Sequence, residues 1–198
     1  MTATPIPNRM TAVALALAAS ACLIYAALTR QWLVNNNPVE ERAIGLRSSS
    51  SCIVGTGSAG CSELTNKELI EEFHQDTETT AQQTSGAFVP MGLATFIECF
   101  VGALGLLAAA AFALAKKTPD LPMAPTTVGL LAIMALLITG MVFIATKPGP
   151  PGYVGVGLSF WVFAGGAVMG IVANQMLAKI NRPVDPDLLA DSMDPDQY

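Results

Sequence analysis

Charged residues are scarce in this sequence. Of 198 residues, 13% are charged and 52% are hydrophobic, whereas an ordinary soluble domain carries roughly 25% charged residues. Basic residues are also in the minority, because 10 Lys and Arg stand against 15 Asp and Glu. Nucleic-acid binding needs a positively charged surface to neutralise phosphates, so this balance excludes nucleic acid as a partner. The composition indicates a protein that lies in the lipid bilayer.

Histidine is scarcer still, with a single residue in the chain. One histidine excludes sites that need two from one chain, such as bis-histidine haem or a paired Glu-x-x-His di-iron cluster. The sequence also lacks Cys-x-x-Cys-His and a glycine-rich phosphate-binding loop. We therefore expect no catalytic residues, no metal site and no cofactor, and predict that the protein is not an enzyme.

Long apolar runs, by contrast, are present. A helix needs about 20 residues to cross the hydrocarbon core, and four runs approach or exceed that length. They are roughly Thr11–Leu28, Ala87–Ala115, Thr126–Thr146 and Tyr153–Ala178. The first also resembles a cleaved signal peptide, but the apolar stretch continues beyond its Ala-Ser-Ala triplet, which favours a retained helix. The sequence predicts an all-α membrane protein built on a four-transmembrane-helix bundle.

The segments between the spans give a sidedness. They are a stub at 1–10, a large polar loop at 29–86, a loop at 116–125, a short turn at 147–152 and an acidic tail at 179–198. Basic residues near the span ends lie mostly on the side of the two termini, whereas three of the five on the other side lie deep in the long loop. Basic loops face the cytoplasm. We expect cytoplasmic termini and an extracytoplasmic large loop, in a bacterial inner membrane or a plasma membrane.

Small residues in the spans predict close helix packing, because lipid supplies no hydrophobic drive for helices to associate. Gly102 and Gly105 lie in the second span, and Gly166 and Gly170 form a Gly-x-x-x-Gly in the fourth. We favour packing inside the bundle. The alternative is that these glycines contact a helix of a partner protein.

Glu98 lies inside the second span, where a carboxylate costs about 2.5–3.5 kcal/mol or more. No predicted span contains a Lys, Arg or His to pair with it. We favour a neutral side chain bonded to a helix backbone or to a hydroxyl such as that of Tyr25 or Ser159. The alternatives are a contact with a partner subunit and the handling of ions or protons.

Two cysteines, Cys52 and Cys61, lie in the large loop with flexible residues between them. An extracytoplasmic location favours a disulfide over the alternative, a metal site. Further along, Thr65 and Glu68 have the spacing of a capping box. They predict a short amphipathic helix over the mouth of the bundle, with an apolar stripe of Leu69, Ile70 and Phe73. His74 could share a helical face with Glu71 and Glu78, and we favour a solvated charged face over a metal site there.

The same loop resembles the first extracellular segment of the claudin and peripheral-myelin-protein superfamily. The residues that carry the resemblance are Trp32, Gly45, Leu46, Cys52 and Cys61. Arg47 stands where that family has a second tryptophan. The resemblance implies a small antiparallel sheet packed on the bundle, stapled by the two cysteines and anchored by Trp32. It also implies action through lateral contacts with other proteins.

Together these features predict a non-enzymatic membrane scaffold or accessory subunit whose partners are the lipid bilayer and other membrane subunits, or further copies of itself. Leucines in the acidic tail would let it dock on a basic partner surface, although disorder is the simpler expectation. The alternative function is a small homo-oligomeric channel or transporter that uses Glu98.

Overall fold

The computed structural model describes residues 8–36, 39–56, 60–76, 86–115, 123–148 and 154–181. In chain order the elements are α1 (Arg9–Leu28), β1 (Leu33–Asn36), β2 (Glu40–Ile44), β3 (Ser48–Ile53), β4 (Cys61–Thr65), α2 (Asn66–Asp76), α3 (Phe88–Ala115), α4 (Pro125–Ala145), β5 (Gly155–Val156) and α5 (Leu158–Ile180). The predicted acidic tail lies almost wholly outside the described residues. So do most of the N-terminal stub and parts of the loops at 116–125 and 147–152.

Four helices, α1, α3, α4 and α5, are long and apolar enough to cross a membrane, with mean hydropathies between 1.5 and 2.6. Each predicted span corresponds to one of these helices, and together they indicate a multi-pass membrane protein. Local signals set two of the helix starts. Asn8 caps α1 by accepting a hydrogen bond from the backbone N–H of Met10 at 3.0 Å, and Pro125 occupies the first turn of α4, where its missing N–H costs nothing.

Hydropathy predicted that the fourth span begins at Tyr153, but the helix α5 begins at Leu158. Gly155 and Val156 are extended, because they pair with β1 as the strand β5. The next residue, Gly157, is bonded to the segment before β1, because its backbone N–H donates to the carbonyl of Trp32 at 2.8 Å. An apolar sequence is compatible with either structure, and here the neighbouring strand decides.

In the bundle, α1 packs along α3 and α5, and α3 packs along α4. The contacts are close because small residues form them. A Cβ added to Gly105 would lie 2.7 Å from the Cα of Gly129, so α3 and α4 meet backbone to backbone. A Cβ on Gly166 would lie 2.8 Å from the Cβ of Cys22 on α1.

The other two predicted packing glycines also face the inside of the bundle. A Cβ on Gly170 would lie 2.9 Å from Ile133, and one on Gly102 would lie 3.5 Å from the same side chain. By contrast, Gly165 has nothing within 4 Å of its added Cβ. The structure thus uses all four predicted glycines in contacts within the chain.

The connections on one side of the bundle form a five-stranded antiparallel sheet in the order β4-β3-β2-β1-β5. Four strands come from the large loop, and the fifth comes from the connection between α4 and α5. This sheet matches the one that the resemblance implied. Because β1 pairs with β5, both connections lie at the same end of the helices.

Cys52 and Cys61 are direct partners in the register of β3 and β4. Their Cα atoms lie 4.0 Å apart and their sulfurs are bonded, which confirms the predicted disulfide. The bond closes the far edge of the sheet.

The helix α2 follows β4 directly, and its capping box is confirmed. The backbone N–H of Thr65 donates to the Glu68 carboxylate at 2.7 Å, and the backbone N–H of Glu68 donates to the Thr65 hydroxyl at 3.2 Å. The Thr65 hydroxyl also donates to the Glu68 carboxylate, at 2.8 Å, and the bonds that the carboxylate accepts from the backbone and hydroxyl of Thr65 lower the pKa of Glu68. Leu69 is fully buried and attaches the helix to the core. The side chains of Phe73 and His74, and all of Glu78, lie outside the described residues, so the predicted apolar stripe and acidic face remain predictions there.

Candidate functional site

Trp32 is the residue that joins the sheet to the bundle. It precedes β1 and is fully buried. Its indole Nε1–H donates to the carbonyl oxygen of Ala26, in the last turn of α1, at 2.6 Å. Its backbone N–H donates to Ile44 of β2 at 3.1 Å, and its own carbonyl accepts from Gly157. One residue therefore ties α1, β2 and the segment before α5 together.

The ring of Trp32 packs among phenylalanines from two membrane helices. Its centroid lies 4.8 Å from that of Phe163 on α5 and 5.8 Å from that of Phe143 on α4. Phe143 in turn stacks on Phe88 at the start of α3, 4.6 Å away. Such aromatic contacts add about 0.5–1.5 kcal/mol beyond the area buried. This cluster holds Trp32 between the sheet and the helices.

Gly45 and Leu46 form the turn between β2 and β3, and both are buried. A Cβ on Gly45 would lie 2.8 Å from the carbonyl oxygen of Thr29, so only glycine fits against the end of α1. The carbonyl of Leu46 approaches α3 so closely that a Cβ on Gly92 would collide with it. The Asn66 amide holds the turn from the other side by donating to the Gly45 carbonyl at 3.0 Å.

Arg47 continues this turn toward the membrane helices. The central carbon of its guanidinium lies 4.9 Å from the ring centroid of Phe96 on α3. This is a cation–π contact. An aromatic ring and a cation thus meet where the loop reaches the helices.

Glu98 is half-buried at the boundary of α3 and α4. The hydroxyl of Thr139 on α4 donates to its carboxyl oxygen at 2.6 Å, and Thr95 donates to Thr139 at 3.0 Å. The prediction of a hydroxyl partner was right in kind, but both residues suggested for it were wrong. Ser159 is hydrogen-bonded to Thr29 at 2.7 Å instead, and Tyr25 is 45% exposed on the outside of α1.

An ionic network between the sheet and α2, centred on the buried Arg42, has no counterpart in the sequence analysis. Arg42 on β2, with a side chain 8% exposed, pairs with Glu40 at 2.7 Å and with Glu72 of α2 at 3.3 Å. The hydroxyl of Ser51 donates to the Glu40 carboxylate at 2.5 Å. The alternation of Glu40 and Arg42 along a strand was a usable signal, but only the sheet register shows that this face is covered by α2.

Burial by itself raises the pKa of Glu40, because it disfavours the charged form. The hydrogen bonds from Ser51 and Arg42, together with the charge of Arg42, outweigh burial, so the pKa of Glu40 is lowered overall. On the outside of the sheet, Arg30 forms a bidentate pair with Glu63, with Nη2 and Oε2 2.9 Å apart. The hydrogen bond from Arg30 lowers the pKa of Glu63.

Within the described residues, no group of three or more His, Cys, Asp and Glu side chains could hold a metal ion. The candidate site residues that the structure describes are the buried Trp32, Glu98 within one of the apolar helices, and Arg47 in the β2–β3 turn. No family model matches the chain, and no curated protein matches it either.

Proposed function

We propose that this protein is a non-enzymatic integral membrane scaffold or accessory subunit. It acts through lateral contacts that its sheet and the outward faces of its helices make with other membrane subunits or with further copies of itself. The observation that carries the proposal is the way in which the sheet is fixed to the bundle.

Two separate connections build this sheet, and Trp32 ties it into the aromatic cluster of α4 and α5. The disulfide closes β3 to β4. A platform fixed in this way keeps its shape, so a partner that binds it does not have to order it first, and this lowers the cost of association. The strands at the ends of the order, β4 and β5, each pair with one neighbour among the described strands. Unpaired strand edges are templates for contacts with another chain.

The helix faces support the same function. On α5, residues at helical spacing point away from the bundle: Leu158, Trp161, Gly165, Val168 and Val172 are all exposed. Lipid covers such a face in a monomer, and a partner helix covers it in a complex. The small residue Gly165, open on this face, permits close approach of a second helix.

We further propose membership of the claudin and peripheral-myelin-protein superfamily, with cytoplasmic termini. The support is the set of Trp32, Gly45, Leu46, Cys52 and Cys61 together with four helices and the antiparallel sheet. Arg47 departs from the family pattern. Reporter fusions at each terminus and in the 29–86 loop test the orientation. A loop fusion that reports a cytoplasmic location would overturn it.

The cluster of Glu98, Thr139 and Thr95 supports a second candidate, a small homo-oligomeric channel or transporter. Hydroxyls and a carboxyl are joined by hydrogen bonds across α3 and α4 at a partly exposed position. In an oligomer such a position could line a path for a cation or proton.

Purification from the native membrane in a mild detergent, followed by mass measurement and subunit identification, separates the two. Co-purification in fixed stoichiometry with other membrane subunits is the result expected for the scaffold. Recovery as a homo-oligomer whose reconstituted cation flux is lost in Glu98→Gln would overturn the scaffold and establish the channel.

A further inference from the structure

A cleft opens where the sheet meets the membrane helices. Its cavity of about 320 Å³ lies between the end of α1, the Gly45–Ser48 turn and Phe96 of α3. A second cavity of about 150 Å³ adjoins it and continues along α3 past Val89 and Leu93. Arg47 lines both cavities. The cleft thus combines a part lined by Arg30 and Arg47 with a more apolar part beside the start of α3.

The charges in the cleft are not balanced. Arg30 is neutralised by Glu63 in the bidentate pair, and Lys67, which lines the second cavity, lies 3.8 Å from Glu71. The Arg47 guanidinium contacts the Phe96 ring and makes no hydrogen bond or ion pair with any described residue. Among the charged residues that line the two cavities, Arg47 is therefore the one without a carboxylate partner, and its N–H donors are free to bind an anion.

The depth of Arg47 indicates which anion. The helix α3 has 28 residues, which is about 42 Å at 1.5 Å per residue. The hydrocarbon core is about 30 Å thick, so a centred helix extends about 6 Å beyond it at each end. Phe96 lies in the third turn from the end that carries the sheet. Phe96 therefore lies about 12 Å from that end, on the hydrocarbon side of the boundary, whereas Gly92, which the carbonyl of Leu46 contacts, lies about 6 Å from it and so at the boundary itself. The turn that carries Arg47 lies where lipid headgroups join the acyl chains, and its guanidinium reaches toward the hydrocarbon.

We infer that the cleft is a binding site for an anionic phospholipid of the leaflet on the sheet side, with Arg47 bound to the lipid phosphate. A guanidinium matches two phosphate oxygens with two parallel N–H donors. Farther from the sheet along α3, the exposed Ile97, Val101 and Leu104 offer an apolar surface to an acyl chain. The unpaired charge of Arg47 favours a lipid such as phosphatidylglycerol over zwitterionic phosphatidylcholine. This inference does not depend on the proposed function.

Native mass spectrometry of the full-length protein in detergent tests the site by counting bound lipids during titration. We expect phosphatidylglycerol to bind at least about tenfold more tightly to the wild type than to Arg47→Gln, because charged hydrogen bonds are lost. Lys179→Gln is the matched control. Lys179 lies in the last turn of α5, at the end of the bundle away from the sheet, so removing its charge should leave lipid binding unchanged. Arg47→Lys, which keeps the charge but loses the paired donors, should fall between them.

Three outcomes would overturn the inference. Equal phosphatidylglycerol binding by the wild type and Arg47→Gln would remove Arg47 from the site. Equal affinity for phosphatidylcholine would remove the selection for an anionic lipid. Equal binding of soluble glycerol 3-phosphate would show a site for free phosphate and not for a lipid. The Cys52–Cys61 disulfide in each variant, checked by mass, confirms that the ectodomain has folded.

Discussion

Trp32 donates its indole N–H to the carbonyl oxygen of Ala26 at 2.6 Å, across the junction between ectodomain and membrane helix. Ala26 lies in the last turn of α1, where carbonyl groups have no partner inside the helix. The bond therefore satisfies a helix end and fixes the start of the sheet at the same time. It makes the fold of the loop and the packing of the bundle interdependent.

Replacing Trp32 with Phe should lower the free energy of unfolding by about 1–3 kcal/mol, because the buried Ala26 carbonyl loses its donor. Thermal unfolding in detergent measures the change. The second tryptophan of the chain, Trp161, provides the control. It is 64% exposed, so Trp161→Phe should change stability by no more than about 0.5 kcal/mol. Equal effects at both positions would argue against the anchor.

Gly105→Ala should destabilise the bundle by about 1–3 kcal/mol, because the new Cβ would overlap the backbone of Gly129 and force α3 away from α4. Gly165→Ala is the matched control, since it adds the same methyl group where nothing lies within 4 Å. That change should be neutral or slightly stabilising, as alanine favours a helix over glycine. The melting temperatures of the two variants test this prediction. An unchanged melting temperature in Gly105→Ala would contradict the close contact between α3 and α4.

The double variant Cys52→Ser, Cys61→Ser should lose the stability that the disulfide supplies. We expect a loss of about 2–3 kcal/mol, a modest value because the closed loop is short. Cys22→Ala, a change at a cysteine with no disulfide, should leave the sheet intact. Mass spectrometry of peptides from the non-reduced protein gives a direct check. Free thiols at both Cys52 and Cys61 would contradict the structure of the ectodomain.

Thr139→Val should destabilise the α3–α4 contact by about 0.6 kcal/mol, the average measured for hydrogen bonds between membrane helices, and by no more than about 1.7 kcal/mol, the largest value measured. The reason is that Glu98 loses its 2.6 Å donor. Glu98→Gln keeps an acceptor for the same hydroxyl and should unfold close to the wild-type temperature. A loss of stability in Glu98→Gln as large as that in Thr139→Val would show that the charge of Glu98, and not the hydrogen bond, holds the helices.

The sheet should become less stable in acid because of Glu40. Its pKa in the folded protein is lowered overall, since the bonds from Ser51 and Arg42 outweigh burial. The stabilisation is therefore complete above the pKa of Glu40 in the unfolded chain, about 4.3, and is lost as the pH falls below that value through the folded pKa. Unfolding followed from pH 7 to pH 3 should show this loss. Glu40→Gln should show a weaker pH dependence, whereas Glu41→Gln, on the exposed side of the same strand, should retain it.

Features that depend on near neighbours could be predicted from the sequence. Length and apolarity predicted the four helices, with three of their four starts within two residues of those observed. The capping box of α2 and the disulfide between Cys52 and Cys61 also involve residues close in the chain, so local spacing was a sufficient signal.

Only the tertiary structure decided which distant groups meet. Glu98 bonds to Thr139, 41 positions away, and not to Tyr25 or Ser159, because the rotation of α4 against α3 selects its partner. The start of α5 at Leu158 depends on the pairing of β5 with β1, and the contact of Arg47 with Phe96 depends on where the β2–β3 turn lies on α3. Hydropathy specifies which segments enter the bilayer, whereas helix rotation and strand register are set by packing over the whole chain.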